Sequence, residues 1–249
     1  MRDIRLFFAR DESRQRICDR QDSSELAVEY CRHGLGVRLL PGKCGTRIHD
    51  APGSGGTYAR NAAFFWNSPQ GLEPDATGYH GFYYHFLDMQ TGRRAWHCEL
   101  STVDSAFLLA EALTAAFYFG EATADEHGIR SLAGAHYRRA DWQLARNGGA
   151  TVTHGWKPDN GFLKYRWEGY DEALLLYILG LGSPTHPLPE EGYAAKASTY
   201  EWEHYYGQEY LYARPRSRIR YHTSGSTFVV FRMLLCGIKA STISRTAAA

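Results

Sequence analysis

The sequence predicts a mainly α-helical fold, a toroid of helical hairpins with short β-hairpins in its cleft loops. Three observations predict it. Apolar and amphipathic helical patterns alternate along residues 101–181. Each apolar pattern is entered through carboxylates, and each entry follows an aromatic, turn-punctuated stretch of β-formers. A plain helical bundle whose acids only cap helices and complement the macrodipole fits the same alternation, and the pattern alone does not separate the two.

Residues 81–104, GFYYHFLDMQTGRRAWHCELSTVD, are the most informative stretch. Gln90, Thr91 and Gly92 form a turn signal, so residues 83–98 read as a hairpin. Ser101 with Asp104 three residues on then opens a helix, on which Val103, Phe107, Leu108, Ala110, Leu113 and Phe117 recur at helical spacing until Gly120. A second, amphipathic helix is expected over 122–145, with Ile129, Leu132, Ala133, His136, Tyr137, Ala140 and Leu144 inward and Arg130, Arg138 and Arg139 outward. Residues 154–182 repeat the first plan: an aromatic hairpin (Trp156, Phe162, Tyr165, Trp167), an acidic entry (Glu168, Asp171, Glu172) and an apolar helix. Beyond Ser183-Pro184 and the prolines at 187 and 189, an aromatic helix carrying Trp202, Tyr205 and Tyr206 is expected over 193–212.

Composition divides the chain in three. All six tryptophans and most other aromatic residues fall in 64–213, whereas 1–63 and 214–249 are irregular flanks for which disorder is the simplest reading. A net charge of +1 gives no reason to expect a nucleic acid partner. No run approaches the length of a membrane span, and no signal-peptide core stands at the N-terminus. The five cysteines form no CxxC pair, which argues against a disulfide framework or a structural zinc. GSGGT at 53–57 reads as a flexible turn rather than a nucleotide loop, and no cofactor motif or protein-partner signal stands out.

The chemistry these residues suggest is sugar cleavage. Aromatic faces stack on pyranose rings, arginines donate to hydroxyls, and carboxylates move protons. Tyr83, Tyr84, Trp96, Trp156, Trp167 and Tyr170 are candidate sugar platforms, and about half of such a set is expected to be core instead. Arg93 and Arg94 are candidate hydroxyl donors, and Asp88 either orients a hydroxyl or pairs with one of them. His80, His85, His97 and His154 lack a metal-ligand spacing, so polar lining is favoured and no metal is expected.

The strings FFWNSPQG, GYHGFYYHFLDMQTGRRAW, CELSTVDSAFLLAEAL, YRRADW, HGWKPDNGFLKYRWEGYDEALLLYILGLGSPTHPL and YEWEHYYGQEYLYA resemble the bacterial glycoamylase-like family over residues 64–213. The resemblance implies an (α/α)6 toroid. It also implies an oligo- or polysaccharide partner, since family members include endo-acting β-1,2-glucanases and domains of cyclic β-1,2-glucan synthases; a periplasmic or secreted location is compatible with it. Inverting hydrolysis needs one protonated carboxyl and one carboxylate that activates water, about 6.5–9.5 Å apart. Glu99 and Glu172 occupy the matching acidic motifs, CELSTVD and GYDEA, and are the expected pair. Asp104 and Asp171 compete for those roles but are favoured as helix caps.

The flanks depart from the family abruptly. Back-translated with synonymous codons and read one base earlier, residues 221–249 give a string similar to the family's C-terminal core; residues 3–39, read one base later, give one similar to its N-terminal helices. Two frameshifts are therefore expected, near Ala63 and Arg214, and with them an incomplete toroid. Three functions follow as expectations: a β-glucan hydrolase domain, a non-catalytic carbohydrate-binding or synthase-accessory module, and a fragment without function.

Overall fold

The computed structural model describes residues 54–212 except Met89, preceded by three short strands: β1 (Ala27–Glu29), β2 (Leu39–Gly42) and β3 (Gly45–Ile48). The expectations for the rest of both flanks lie outside the described residues. Strands β2 and β3 form a hairpin. Helix α1 (Ser54–Asn67) takes residues 54–57 into its first turn, which corrects the reading of that segment as a flexible turn, and it runs without interruption through the expected boundary at residue 63.

A five-stranded antiparallel sheet follows, in the order β4 (Gly78–Tyr79), β5 (Phe82–Tyr84), β7 (Leu100–Ser101), β8 (Gly155–Lys157) and β9 (Gly161–Phe162). Strand β6 (Phe86–Asp88) pairs with β1 instead. The turn expected at 90–92 is present: Leu87 bridges Arg94, and the Gly92 N–H donates to the Asp88 carbonyl. Pairing of β5 with β7, then β7 with β8, carries two segments some fifty residues apart in sequence onto one sheet, and so joins the first aromatic hairpin to the second. Gly155 makes this possible. A Cβ there meets the Leu100 carbonyl oxygen at 2.0 Å and the Glu99 Cγ at 3.4 Å. Gly155→Ala is expected to cost at least about 1–3 kcal/mol in equilibrium urea unfolding, because backbone cannot yield as a flexible side chain does.

Helix α2 (Thr102–Tyr118) forms as its sequence dictates. Ser101 caps it, its hydroxyl accepting from the Asp104 N–H at 3.3 Å. Val103, Leu108 and Leu109 are buried, each contributing about 1.5–3 kcal/mol. Ala106, Ala110, Ala112 and Ala115 let neighbours approach closely, and α2 packs against both α3 (Ala124–Arg139) and α5 (Leu174–Leu181). Burial on nearly all sides is met except at the C-terminal end, where Phe117 is 62% exposed.

The second helix is two helices rather than one. α3 stops at Arg139, Ala140 is extended, and Asp141 caps α4 (Trp142–Arg146) by accepting from the Leu144 N–H at 2.9 Å. Aspartate favours such a cap over a helix interior. Gly81, at φ +83°, crosses at this break, and a Cβ there falls 2.6 Å from the Arg139 carbonyl. Arg139 corrects its expectation too. It turns inward to donate to the Phe65 and Trp66 carbonyls and to the Tyr83 hydroxyl, with its guanidinium 4.5 Å from the Trp66 ring centre. Those carbonyls lie in the last turn of α1, where no intrahelical donor reaches them. His136 adds a bond to the Ala62 carbonyl at 2.9 Å, and burial pulls its pKa down to about 4, so the ring is neutral with its Nε2 proton on that bond.

Helix α5 buries Leu175, Leu176, Tyr177 and Leu179, as its apolar run predicts. After α6 (Glu190–Ala197), the expected aromatic helix is an antiparallel hairpin, β10 (Glu201–Tyr205) with β11 (Gln208–Tyr212). Tyr206 and Gly207 take φ +51° and +74° in the two-residue turn, the pair of left-handed positions that a hairpin of this length demands. The described residues thus hold six helices and a curled antiparallel sheet, a more mixed fold than the mainly helical one expected. No helix among them is long and apolar enough to cross a membrane.

Candidate active site

The sheet and the two apolar helices bring the acidic motifs together through one set of bonds. The Thr102 hydroxyl, at the start of α2, donates to the Thr153 carbonyl at 2.7 Å and accepts from the Trp167 indole N–H at 2.9 Å. Trp167 leads directly into the acidic entry of α5, so the entries of the two helices are tied at one point. The His154 ring lies flat on Trp167, with centres 3.8 Å apart. Burial lowers the His154 pKa, and the charges of Asp171 and Glu99 oppose that shift, which places both carboxylates within electrostatic reach of one imidazole.

Glu99 stands just before β7. Its Oε1 lies 3.1 Å from His85 Nδ1, and its backbone carbonyl accepts from the His85 N–H at 2.9 Å. On the other side, His85 Nε2 is 3.6 Å from Asp104 Oδ2. The hydrogen bond from His85 draws the Glu99 pKa down to about 2 against the opposing effect of burial, with help from the Lys157 charge. Glu99 is therefore ionised at any ordinary pH and suits a base, not an acid. Ser101 holds the capping position of α2, and Asp104 stands three residues on in its first turn.

Asp171 is 9% exposed and Lys196 fully buried, and they pair at 2.5 Å. Burial pushes the Asp171 carboxyl up and the Lys196 ammonium down. Lys196 also donates to the Gly169 carbonyl at 2.7 Å and has the Tyr177 and Tyr200 ring centres at 5.5 and 5.9 Å. Asp171 accepts from the Ala173 N–H at 3.0 Å, so it braces the entry of α5 while neutralising the lysine. Glu172 is half-buried at that entry.

The other expected residues divide. Tyr83 and Tyr84 are fully buried and offer no ring face to a sugar: Tyr83 donates to the Phe65 carbonyl, and Tyr84 lies beneath the Arg94 guanidinium at 4.7 Å. Arg94, 9% exposed, is spent on the Cys98 and Pro74 carbonyls, and Trp167 is buried by His154. Trp156 is buried against Tyr79. Arg93 faces Asp75 at 3.6 Å rather than Asp88. Asp88 makes no ion pair among the described residues either. Burial raises its pKa, but three bonds from Thr91 and Gln90 outweigh that and lower it.

Two expected platforms remain accessible. Trp96 is 43% exposed and Tyr170 45%. Trp96 and His97 both hold left-handed backbone, at φ +51° and +50°, a conformation that costs non-glycine residues about 1–2 kcal/mol each. The Lys157 ammonium bonds the His97 carbonyl at 3.0 Å within this turn, two residues before Glu99. Of the two residues that set the carboxylate environments, His85 is legible in the sequence only as polar lining and Lys196 not at all, because each meets its partner only in the folded structure.

These features define a carboxylate–imidazole site at the mouths of two apolar helices, of a kind suited to acid–base chemistry. Residues 164–235 match the Glycoamylase family model, described as "Putative glucoamylase", so the resemblance to that family holds, and the matched stretch runs past residue 213. No curated protein sequence matches. Among solved structures, a putative glucoamylase from Bacteroides uniformis is 25% identical with a TM-score of 0.57, over 65% of this chain and 40% of its own. An endo-β-1,2-glucanase from Chitinophaga pinensis, in complex with sophorotriose and glucose, is 20% identical at TM-score 0.58, over 66% and 40%. A putative glucoamylase from Bacteroides fragilis is 21% identical at TM-score 0.62, over 80% and 47%. The chain thus shares their fold in part and spans less than half of the length of each.

Proposed function

We propose that this chain carries one wall of a glycoside hydrolase cleft for β-linked glucan, β-1,2-glucan above others, built on an incomplete helical toroid. The observation that carries the reading is the ionised Glu99 held by His85 just before α2, whose first residue Thr102 is bonded by Trp167 of the segment leading to Glu172. Glu99 activates water and Glu172 supplies the proton to the leaving oxygen. Trp96 and Tyr170 offer the exposed ring faces, and Arg93 is the accessible donor. The substrate class rests on the likeness to the Chitinophaga pinensis glucanase fold.

The frameshift reading belongs to this proposal. Peptides similar to the family's flanks, encoded one base out of register, supply the missing cleft walls. The test uses two proteins, the chain as it stands and one with both frames restored, assayed for reducing ends released from β-1,2-glucan. The restored protein is expected to cleave and the present chain to cleave at least about a hundredfold more slowly, since substrate positioning is lost with the walls. Glycan binding by the restored protein without any hydrolysis overturns the hydrolase in favour of a binding module. An uninterrupted locus with no family-like peptide in the shifted frames overturns the frameshifts.

A further inference from the structure

Glu99 and Asp104 face the two nitrogens of one imidazole. His85 Nδ1 is 3.1 Å from Glu99 Oε1, and His85 Nε2 is 3.6 Å from Asp104 Oδ2. The ring is fixed from the side as well, lying parallel to Phe86 at 6° with centres 4.2 Å apart. Its backbone N–H is bonded to the Glu99 carbonyl, so ring and carboxylate are registered to each other by two bonds from the same residue pair. We propose that His85 is a positioning residue: a clamp, itself oriented by Asp104, that holds the Glu99 carboxylate in one rotamer and in its charged form for water activation. This rests on the hydrolase reading for its purpose but not for its geometry.

An imidazolium there donates to Glu99 through Nδ1 and is attracted to Asp104, whose Oδ2 at 3.6 Å from Nε2 lies beyond hydrogen-bond distance. Asp104 thus acts through His85, holding the ring in the orientation that presents Nδ1 to Glu99. The groups facing this relay from each packed element are few. Glu99 precedes β7, Asp104 lies on α2, Lys157 on β8 and His154 just before it; the charge of Lys157 bears on Glu99, and that of Glu99 on His154. Lys157 attracts Glu99 but is committed to the His97 carbonyl at 3.0 Å, so it does not orient the carboxylate. An ordinary structural histidine fills space or caps a carbonyl, as His136 does at Ala62. His85 instead bonds Glu99 with one nitrogen and turns the other toward Asp104.

Carboxyl 13C NMR on the full chain, labelled at glutamate and assigned with Glu99→Gln, tests the clamp without requiring turnover. In wild type, Glu99 is expected to stay ionised down to about pH 3. In His85→Ala its midpoint is expected to rise by one unit or more, toward the ordinary value of about 4.3. His85→Gln, which can donate one neutral hydrogen bond but cannot carry charge, is expected to fall between them and guards against misfolding of the alanine variant. A Glu99 midpoint that moves by less than about 0.3 unit in both His85 variants, with dispersed spectra, overturns the clamp. If the midpoint moves as expected while the frame-restored protein cleaves no glucan, the clamp stands and the hydrolase reading fails. In an active restored protein, His85→Ala is expected to move the acid limb of kcat/KM upward by the same interval and to lower kcat more than it raises KM.

Discussion

Glu99→Gln is expected to reduce hydrolysis of β-1,2-glucan by the frame-restored protein by about 10²–10⁴-fold, the range for losing a positioned general base, which is about 3–5 kcal/mol of transition-state stabilisation. The amide keeps the volume and can still accept from His85, so the fold should survive. The pH dependence sharpens this. A carboxyl whose pKa is drawn down to about 2 contributes stability that is complete above its unfolded value near 4.3, and that contribution is lost as pH falls through 2. The same holds for activity: a base ionised above about pH 3 imposes no acid limb in the range where most proteins are assayed. A limb at pH 5 or 6 in wild type, abolished by Glu99→Gln but not by His85 substitution, would show Glu99 titrating as an acid and reverse the two roles. Initial rates of reducing-end release from pH 3 to 9 decide it.

That assignment was half legible in the sequence. Helix α2 could be read from Ser101, Asp104 and the recurrence of apolar residues, since cap and period agree locally and packing against α3 and α5 confirms them. The break at Ala140 could not, because Leu144 continues the helical spacing and only the crossing of Gly81 and the cap at Asp141 interrupt it. The β10–β11 hairpin was misread for a similar reason. Trp202, Tyr205 and Tyr206 lie three and four apart, a helical spacing, and the left-handed demand of the Tyr206-Gly207 turn outweighs it. Burial then divided the aromatic set in a way that no local pattern encodes: Tyr83 and Trp96 look alike in sequence, yet one caps α1 and the other stands in a solvent-facing turn. Lys196 was silent, and His85 legible only as polar lining, because a charge partner across the fold leaves no spacing to read.

Lys196→Met is expected to destabilise the protein by about 3–5 kcal/mol at pH 7, the cost of leaving one member of a buried pair alone. Lys196 is fully buried and Asp171 9% exposed. Burial moves each away from its charged form, so the pair recovers little of its own desolvation and adds little net stability. Two consequences follow that a surface ion pair would not show. First, the penalty of Lys196→Met should shrink as pH falls. A buried carboxyl whose folded pKa is raised above the unfolded value gains relative stability on protonation, so the variant recovers as Asp171 takes up a proton. Second, the double change Lys196→Met with Asp171→Asn should restore stability to within about 1 kcal/mol of wild type, because a neutral buried pair owes no desolvation of charge while the amide oxygen can still accept from the Ala173 N–H. Urea unfolding of the wild type, both single variants and the double variant, at pH 5 and pH 7, closes the cycle. A single-variant cost below about 1 kcal/mol would mean that the lysine head reaches water and the pair is a surface contact. If the double variant is stable yet the frame-restored double variant cleaves poorly, the pair is kept for geometry: Lys196 pins the Gly169 carbonyl and Asp171, and the next residue along that pinned turn is Glu172.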